Sequence, residues 1–220
     1  MKDFFPILEK CALFEGIGPN DLPGMLACLG ARVSKVGRNQ PLFSEGDAVN
    51  FIGILLSGSI RIIKEDFYGD RSIVSTVAPG ELFGESFACA GVPSLPVSVV
   101  ASEDSSVMLL DSRRIGVSCS NACAFHSQMI YNLLKIVATR NLEFNKKLDI
   151  MSRRTTREKL MAYLLEEAKR NGSNSFTIPY DRQSLADFLS VERSAMSAEI
   201  GKLRKEGVLE SEKNRFKLLQ

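Results

Sequence analysis

Three groups of residues in this chain could do chemistry, and each calls for a different kind. Near the C-terminus, Asp181-Arg-Gln-Ser-Leu-Ala-Asp-Phe-Leu-Ser-Val-Glu-Arg-Ser-Ala-Met-Ser-Ala-Glu-Ile-Gly-Lys-Leu203 reads as two short helices across a turn at Leu189–Glu192. Leu185, Leu189, Val191, Met196, Ile200 and Leu203 are its apolar positions, and Ala186 is small where the backbones must approach. The second helix then offers Arg193, Ser194, Ser197 and Lys202 to solvent. A helix presenting such N-terminal side chains fits a DNA major groove, where Arg addresses guanine O6 and N7. Arg182, Gln183 and Ser184 open the first helix, whose N–H groups and dipole suit phosphate. Val208-Leu209 and Phe216–Leu219 read as a wing hairpin with Lys213 and Arg215 near its tip. A winged-helix module that binds protein instead of DNA is the competing reading.

A second group is Cys119, Cys123 and His126, spaced i, i+4, i+7, with His126 the only histidine in the chain. On a helix they share one face. There they would bind a metal or haem, report redox state, or simply pack as small apolar groups. The third is Pro79-Gly-Glu-Leu-Phe-Gly-Glu-Ser86. Gly84 would admit an anionic group to the backbone, and Glu85 would accept from a hydroxyl. A plain turn before a short helix accounts for it equally well.

The elements that must position these groups follow from pattern. Ile130, Leu134, Val137, Asn141, Phe144, Leu148 and Met151 are separated by 4, 3, 4, 3, 4 and 3 residues within Phe125–Arg154. That is a heptad seam on a helix of roughly 40 Å, best satisfied by the same helix of a second copy, with Asn141 fixing register. Thr155 and Glu158 form a capping box that starts another helix. Between Arg32 and Asp111, β-rich runs at 51–56, 59–64, 72–77, 97–101 and 106–110 alternate with turns, Gly69-Asp70 being the clearest hairpin. This spacing predicts an antiparallel roll. Residues 4–30 read as short helices. The fold class expected is α+β: a sensing roll over 1–118, a dimerisation helix and hinge over 119–154, and a winged helix-turn-helix over 155–220.

Charge and composition narrow the function. Net charge is +2, yet residues 151–220 hold 14 Lys and Arg against 10 Asp and Glu, while the first 150 hold 14 against 16. The basic third is the one with the paired helices. No run of 18 apolar residues marks a membrane span, and five cysteines at irregular spacing suit a reducing cytoplasm. A metal-dependent oxygenase built on such a roll would need several inward histidines, and no hydrolase or phosphate-loop motif occurs.

Phe43-Ser-Glu-Gly-Asp47, Ile54-Leu-Leu-Ser-Gly58, Pro79-Gly-Glu-Leu-Phe-Gly-Glu85, the seam helix and the paired C-terminal helices together resemble the cyclic-AMP receptor/fumarate-nitrate regulator (Crp/Fnr) superfamily of bacterial transcription factors. The resemblance runs from about Leu13 to Leu219 and implies a cytoplasmic homodimer on a palindromic promoter site, with RNA polymerase as a further partner. It implies an effector pocket at Gly84, Glu85, Ser86, Ser94, Leu95 and Pro96, closed by Arg140, Asn141, Phe144 and Asn145 of the long helix. Arg140 would pair with Glu85 or with an acidic ligand, or stay solvated. Where members that bind cyclic nucleotide carry an Arg-Ser or Arg-Thr pair, this chain has Leu95-Pro96. A phosphate buried without a cation is costly, so the expected effector is an unidentified small molecule other than cyclic AMP, or none. Cys11 and Cys28 alone cannot supply the four thiolates of the iron–sulfur branch. The family's Arg-Glu-x-x-x-Arg recognition pattern keeps only Arg193 here, followed by Ser194 and, at the last position, Ala198.

Overall fold

The computed structural model describes residues 4–65, 67–68, 71–115 and 124–219. The chain divides into two compact units, Met1–Thr139 and Arg140–Gln220. The Gly69-Asp70 turn and both Cys119 and Cys123 lie outside the described residues.

The N-terminal unit begins with α1 (Phe5–Leu8), a 3-10 turn (Ala12–Phe14) and α2 (Leu22–Cys28). Eight strands follow: β1 (Arg32–Val36), β2 (Pro41–Phe43), β3 (Phe51–Ser57), β4 (Ile60–Glu65), β5 (Arg71–Val77), β6 (Leu82–Phe83), β7 (Ser98–Ala101) and β8 (Ser105–Asp111). They form two antiparallel four-stranded sheets, ordered β1-β8-β3-β6 and β2-β7-β4-β5. Helix α3 (Glu85–Cys89) follows β6, α4 (Ser112–Ile115) follows β8, and α5 runs from Ala124 to Met151.

Strand β3 reads Phe-Ile-Gly-Ile-Leu-Leu, an uninterrupted apolar run, because both of its faces are buried. Phe51 and Leu55 enter the roll with Val36, Phe83, Leu95, Val99 and Val107. Ile52, Ile54 and Leu56 face Leu8, Leu13, Phe14, Leu26 and Leu29 of the N-terminal segment, together with Met129 and Leu133 of α5. Gly53 is required by the same packing, since a Cβ built there would overlap the Phe83 ring. Gly53→Ala is therefore expected to lower stability by about 1–3 kcal/mol through overpacking, read as a reduced urea midpoint at unchanged slope.

In the C-terminal unit, α6 (Thr156–Asn171) starts at the Thr155–Glu158 capping box and stops at Gly172, which is left-handed with φ 60°. Next come β9 (Ser175–Thr177), α7 (Arg182–Leu189), α8 (Arg193–Lys205), β10 (Leu209–Glu212) and β11 (Arg215–Leu218). The three strands form a small antiparallel sheet, β10-β11-β9. Leu160, Leu164, Leu185, Leu189, Met196, Ile200 and Leu203 close the core with Phe176, Phe216 and Leu218, and Ile150 of α5 joins it. Ser190 turns α7 into α8 with a left-handed backbone at φ 50°. Arg157 reaches from α6 to both Glu199 and Glu206, tying α6 to α8.

Candidate nucleic-acid interface and effector region

Asp181 sets the geometry of the C-terminal site. Its Oδ1 accepts from the Ser184 N–H at 2.7 Å, fixing the first turn of α7. That bond, helped by the Ser184 hydroxyl and more weakly by Arg193, holds its carboxyl below the usual carboxylate range. The wing is pinned from the other side: Asn214 Nδ2 donates to Ile178 O at 3.1 Å, and Ile178 N–H donates to Asn214 O at 3.0 Å. Lys213 consequently turns the β10–β11 hairpin with φ 50°. Arg182, Gln183, Arg193 and Lys213 thus line one hollow of about 860 Å³ with Pro179, Tyr180, Asp181 and Asn214. Three separate elements deliver these four polar or cationic side chains to one place.

Two groups at the start of α7 are already engaged within the unit. The Ser184 N–H is occupied by the Asp181 cap, which leaves fewer open donors at the start of α7. Arg182 is half-buried. Its guanidinium lies 4.9 Å over the Phe216 ring, and Nη2 donates to Ser211 Oγ at 3.4 Å. Burial, and then the neighbouring Arg204, lower its pKa. It braces α7 against the wing as much as it faces the hollow. Arg193, Ser194 and Ser197 are exposed on α8, whereas Lys202 is paired with Glu199 at 3.2 Å. Arg215 lines a second hollow of about 380 Å³ with Arg204 and Lys217. Asn214 escaped the sequence reading, although Lys213-Asn214 between two β runs is the signal of a two-residue hairpin loop.

In the roll, Gly84 caps α3 with φ 77°, and Glu85 is buried with Ser86 Oγ donating to its Oε1 at 3.1 Å. Ser94 bridges to Ala48, while Leu95 exchanges backbone bonds with Gly46 and Asp47 at 2.9 and 2.8 Å. This pairing turns the Leu95 side chain into the roll, where Phe43 and Phe51 stack at 3.9 Å, and leaves Ser94 and Pro96 exposed. Arg140, Asn141, Phe144 and Asn145 are exposed on α5 in the C-terminal unit, and Asn145 Nδ2 donates to Asn141 Oδ1 at 2.9 Å. His126 is buried, and its Nε2 has no hydrogen-bond partner among the described residues. The Cys11 thiol is pushed up to about 11 by burial.

Along α5 the seam stands open in the single chain: Ile130, Leu134, Phe144 and Leu148 are 43%, 65%, 60% and 49% exposed. Val137 and Met151 are half-buried. A residue the heptad reading passed over, Asn132, is buried on another side of the helix. Its Nδ2 donates to Leu13 O at 3.0 Å and Glu15 O at 2.8 Å, and its Oδ1 accepts from Gln128 Nε2 at 3.0 Å. Among the described residues no helix is long and apolar enough to cross a membrane.

An antiparallel roll, a 28-residue helix and a winged helix-turn-helix are the architecture of a DNA-binding regulator. The cyclic nucleotide-binding domain model matches residues 33–116, and the Crp-like helix-turn-helix domain model matches residues 158–220. The cyclic AMP receptor protein of Thermus thermophilus is 27% identical over 92% of this chain and 89% of its own length. The nitrogen fixation regulation protein FixK of Azorhizobium caulinodans is 24% identical over 83% and 73%, respectively. The crystal structure of the Thermus thermophilus catabolite activator protein superposes with a TM-score of 0.56 at 24% identity, covering 94% of this chain and 93% of that one. The chain belongs to the Crp/Fnr superfamily of DNA-binding transcription regulators.

Proposed function

We propose that the protein is a homodimeric, sequence-specific regulator whose roll takes a small effector other than cyclic AMP and thereby repositions the reading heads on a palindromic promoter site. The observation that carries this reading is the hollow where Gln183, Arg193 and Lys213 converge from α7, α8 and the wing. Such a surface suits a duplex, the α8 end entering the major groove and the wing and α7 addressing the backbone. The open seam of α5 supports the dimer, and two-fold symmetry then sets half-sites about one helical turn, roughly 34 Å, apart. Leu95 supports the exclusion of cyclic AMP, because an apolar side chain buried in the roll offers a cyclic phosphate no cation. Contact with RNA polymerase at the promoter, in the cytoplasm, belongs to the same reading.

Fluorescence anisotropy on a duplex recovered by selection from a random library tests it. Two chains are expected per duplex, with affinity unchanged by saturating cyclic AMP. One chain per duplex would remove the dimer, and tighter binding with cyclic AMP would overturn the assignment of Leu95.

A further inference from the structure

A hollow of about 480 Å³ lies wholly within the C-terminal unit, between the last turns of α5, the second half of α6, Pro179-Tyr180 ahead of α7 and the last turn of α7. Its size is that of small-molecule sites. Tyr163, Tyr180 and Phe188 form its aromatic wall. Tyr180 stacks on Phe188 at 5.1 Å, and Tyr163 stands 6.1 and 5.3 Å from the two rings. Phe144 and Ile150 complete the apolar lining. Tyr163 is 4% exposed, yet its hydroxyl has no hydrogen-bond partner among the described residues. A buried hydroxyl left unpaired is costly, and one that lines a hollow is a donor waiting for an acceptor from outside.

Charge around the hollow favours one sign. Arg140, Lys146, Lys147 and Arg170 line it against Glu143, Glu166 and Glu167, an excess of one positive charge. Two of these cations are bound to acids of the same wall: Lys146 to Glu166 and Arg170 to Glu167, each at 2.7 Å. Lys147 instead lies over the Phe188 ring, 5.0 Å from its centroid, a weak interaction that a carboxylate would readily supplement. An aromatic lining, one unmet hydroxyl donor and one positive charge in excess describe the complement of a planar aromatic monoanion.

We infer that this hollow is a binding site for a planar aromatic carboxylate, its ring against Tyr163, Tyr180 and Phe188 and its carboxylate between the Tyr163 hydroxyl and Lys147. It shares Arg140 and Phe144 with the expected effector region but none of the roll residues Gly84–Ser86 and Ser94–Pro96, which belong to the other unit. A ligand here would act on the DNA-reading unit directly.

The chain has four tyrosines and no tryptophan, so tyrosine-ring NMR of the full-length protein gives few signals, assigned by Tyr→Phe variants. Titration with 1-naphthoate should move the Tyr163 and Tyr180 signals and leave those of Tyr68 and Tyr131 in place. Neutral 1-naphthamide, of nearly the same shape, should bind at least about tenfold more weakly. Tyr163→Phe keeps the ring packing and should weaken naphthoate about tenfold, the loss expected for one such hydrogen bond. Lys147→Gln, at an exposed position, should erase the preference for naphthoate over naphthamide. Unmoved Tyr163 and Tyr180 signals, equal binding of the two probes, or unchanged affinity in Tyr163→Phe would each overturn the assignment.

Discussion

Replacing Arg193 with Ala should abolish specific protection of the operator while leaving the oligomer and its melting intact. Arg193 is the first residue of α8, is exposed, and lines the hollow shared with Gln183 and Lys213. Its loss removes no core contact, so fold and assembly have no reason to respond. A bidentate Arg–guanine contact discriminates by about 1–3 kcal/mol, and a two-fold site uses it twice. The dimer should therefore lose roughly 30-fold to 10⁴-fold in specific affinity. Non-specific binding at low salt should persist, because Lys213 and the phosphate contacts remain. Footprinting and anisotropy at two salt concentrations separate these terms. Unchanged protection would take Arg193 out of base readout.

Leu134→Glu is expected to convert the protein to monomers at micromolar concentration. Leu134 is the most exposed of the large apolar seam residues, at 65%. In a paired seam, two carboxylates would be buried facing each other without cations, at a cost of several kcal/mol. Sedimentation equilibrium reads the change directly, and a dimer that survives would place the interface elsewhere. Asn141→Leu is the companion experiment. Asn141 already accepts from Asn145 at 2.9 Å, so an apolar residue should tighten the seam. Tighter dimers with ordinary DNA binding would make the seam a strut. DNA binding that becomes constitutive, or fails, would make it the switch.

What the sequence disclosed depended on whether a residue's partner lay near it in the chain. The Thr155–Glu158 capping box and the turn within Leu189–Glu192 are local, legible from spacing and observed. The 4-3 periodicity of α5 is likewise local, and the helix runs from Ala124 to Met151 where Phe125–Arg154 was expected. Strand β1 was not legible. Arg-Val-Ser-Lys-Val shows solvent most of its side chains, so no apolar alternation marks it, and β8 holds it through residues 69 to 77 positions away. Strand β6 is two residues long and carries no pattern at all. The place of Arg182 at a helix start, which favours phosphate, is legible from spacing. That Phe216 would lie beneath its guanidinium depends on a fold across 34 residues of chain.

Asn132 and Asn141 stand nine residues apart on one helix, two and a half turns, and hence on opposite sides of it. The first is spent inside its own subunit, on Leu13 and Glu15, and the second lies on the open seam. The same side chain is thus written twice in antiphase, and the helix carries timing as well as length. One residue inserted between them would turn the seam beyond the insertion by about 100° against the anchor, whereas seven would bring it nearly back into step. Changes in the length of this helix keep the two in phase only near whole numbers of turns.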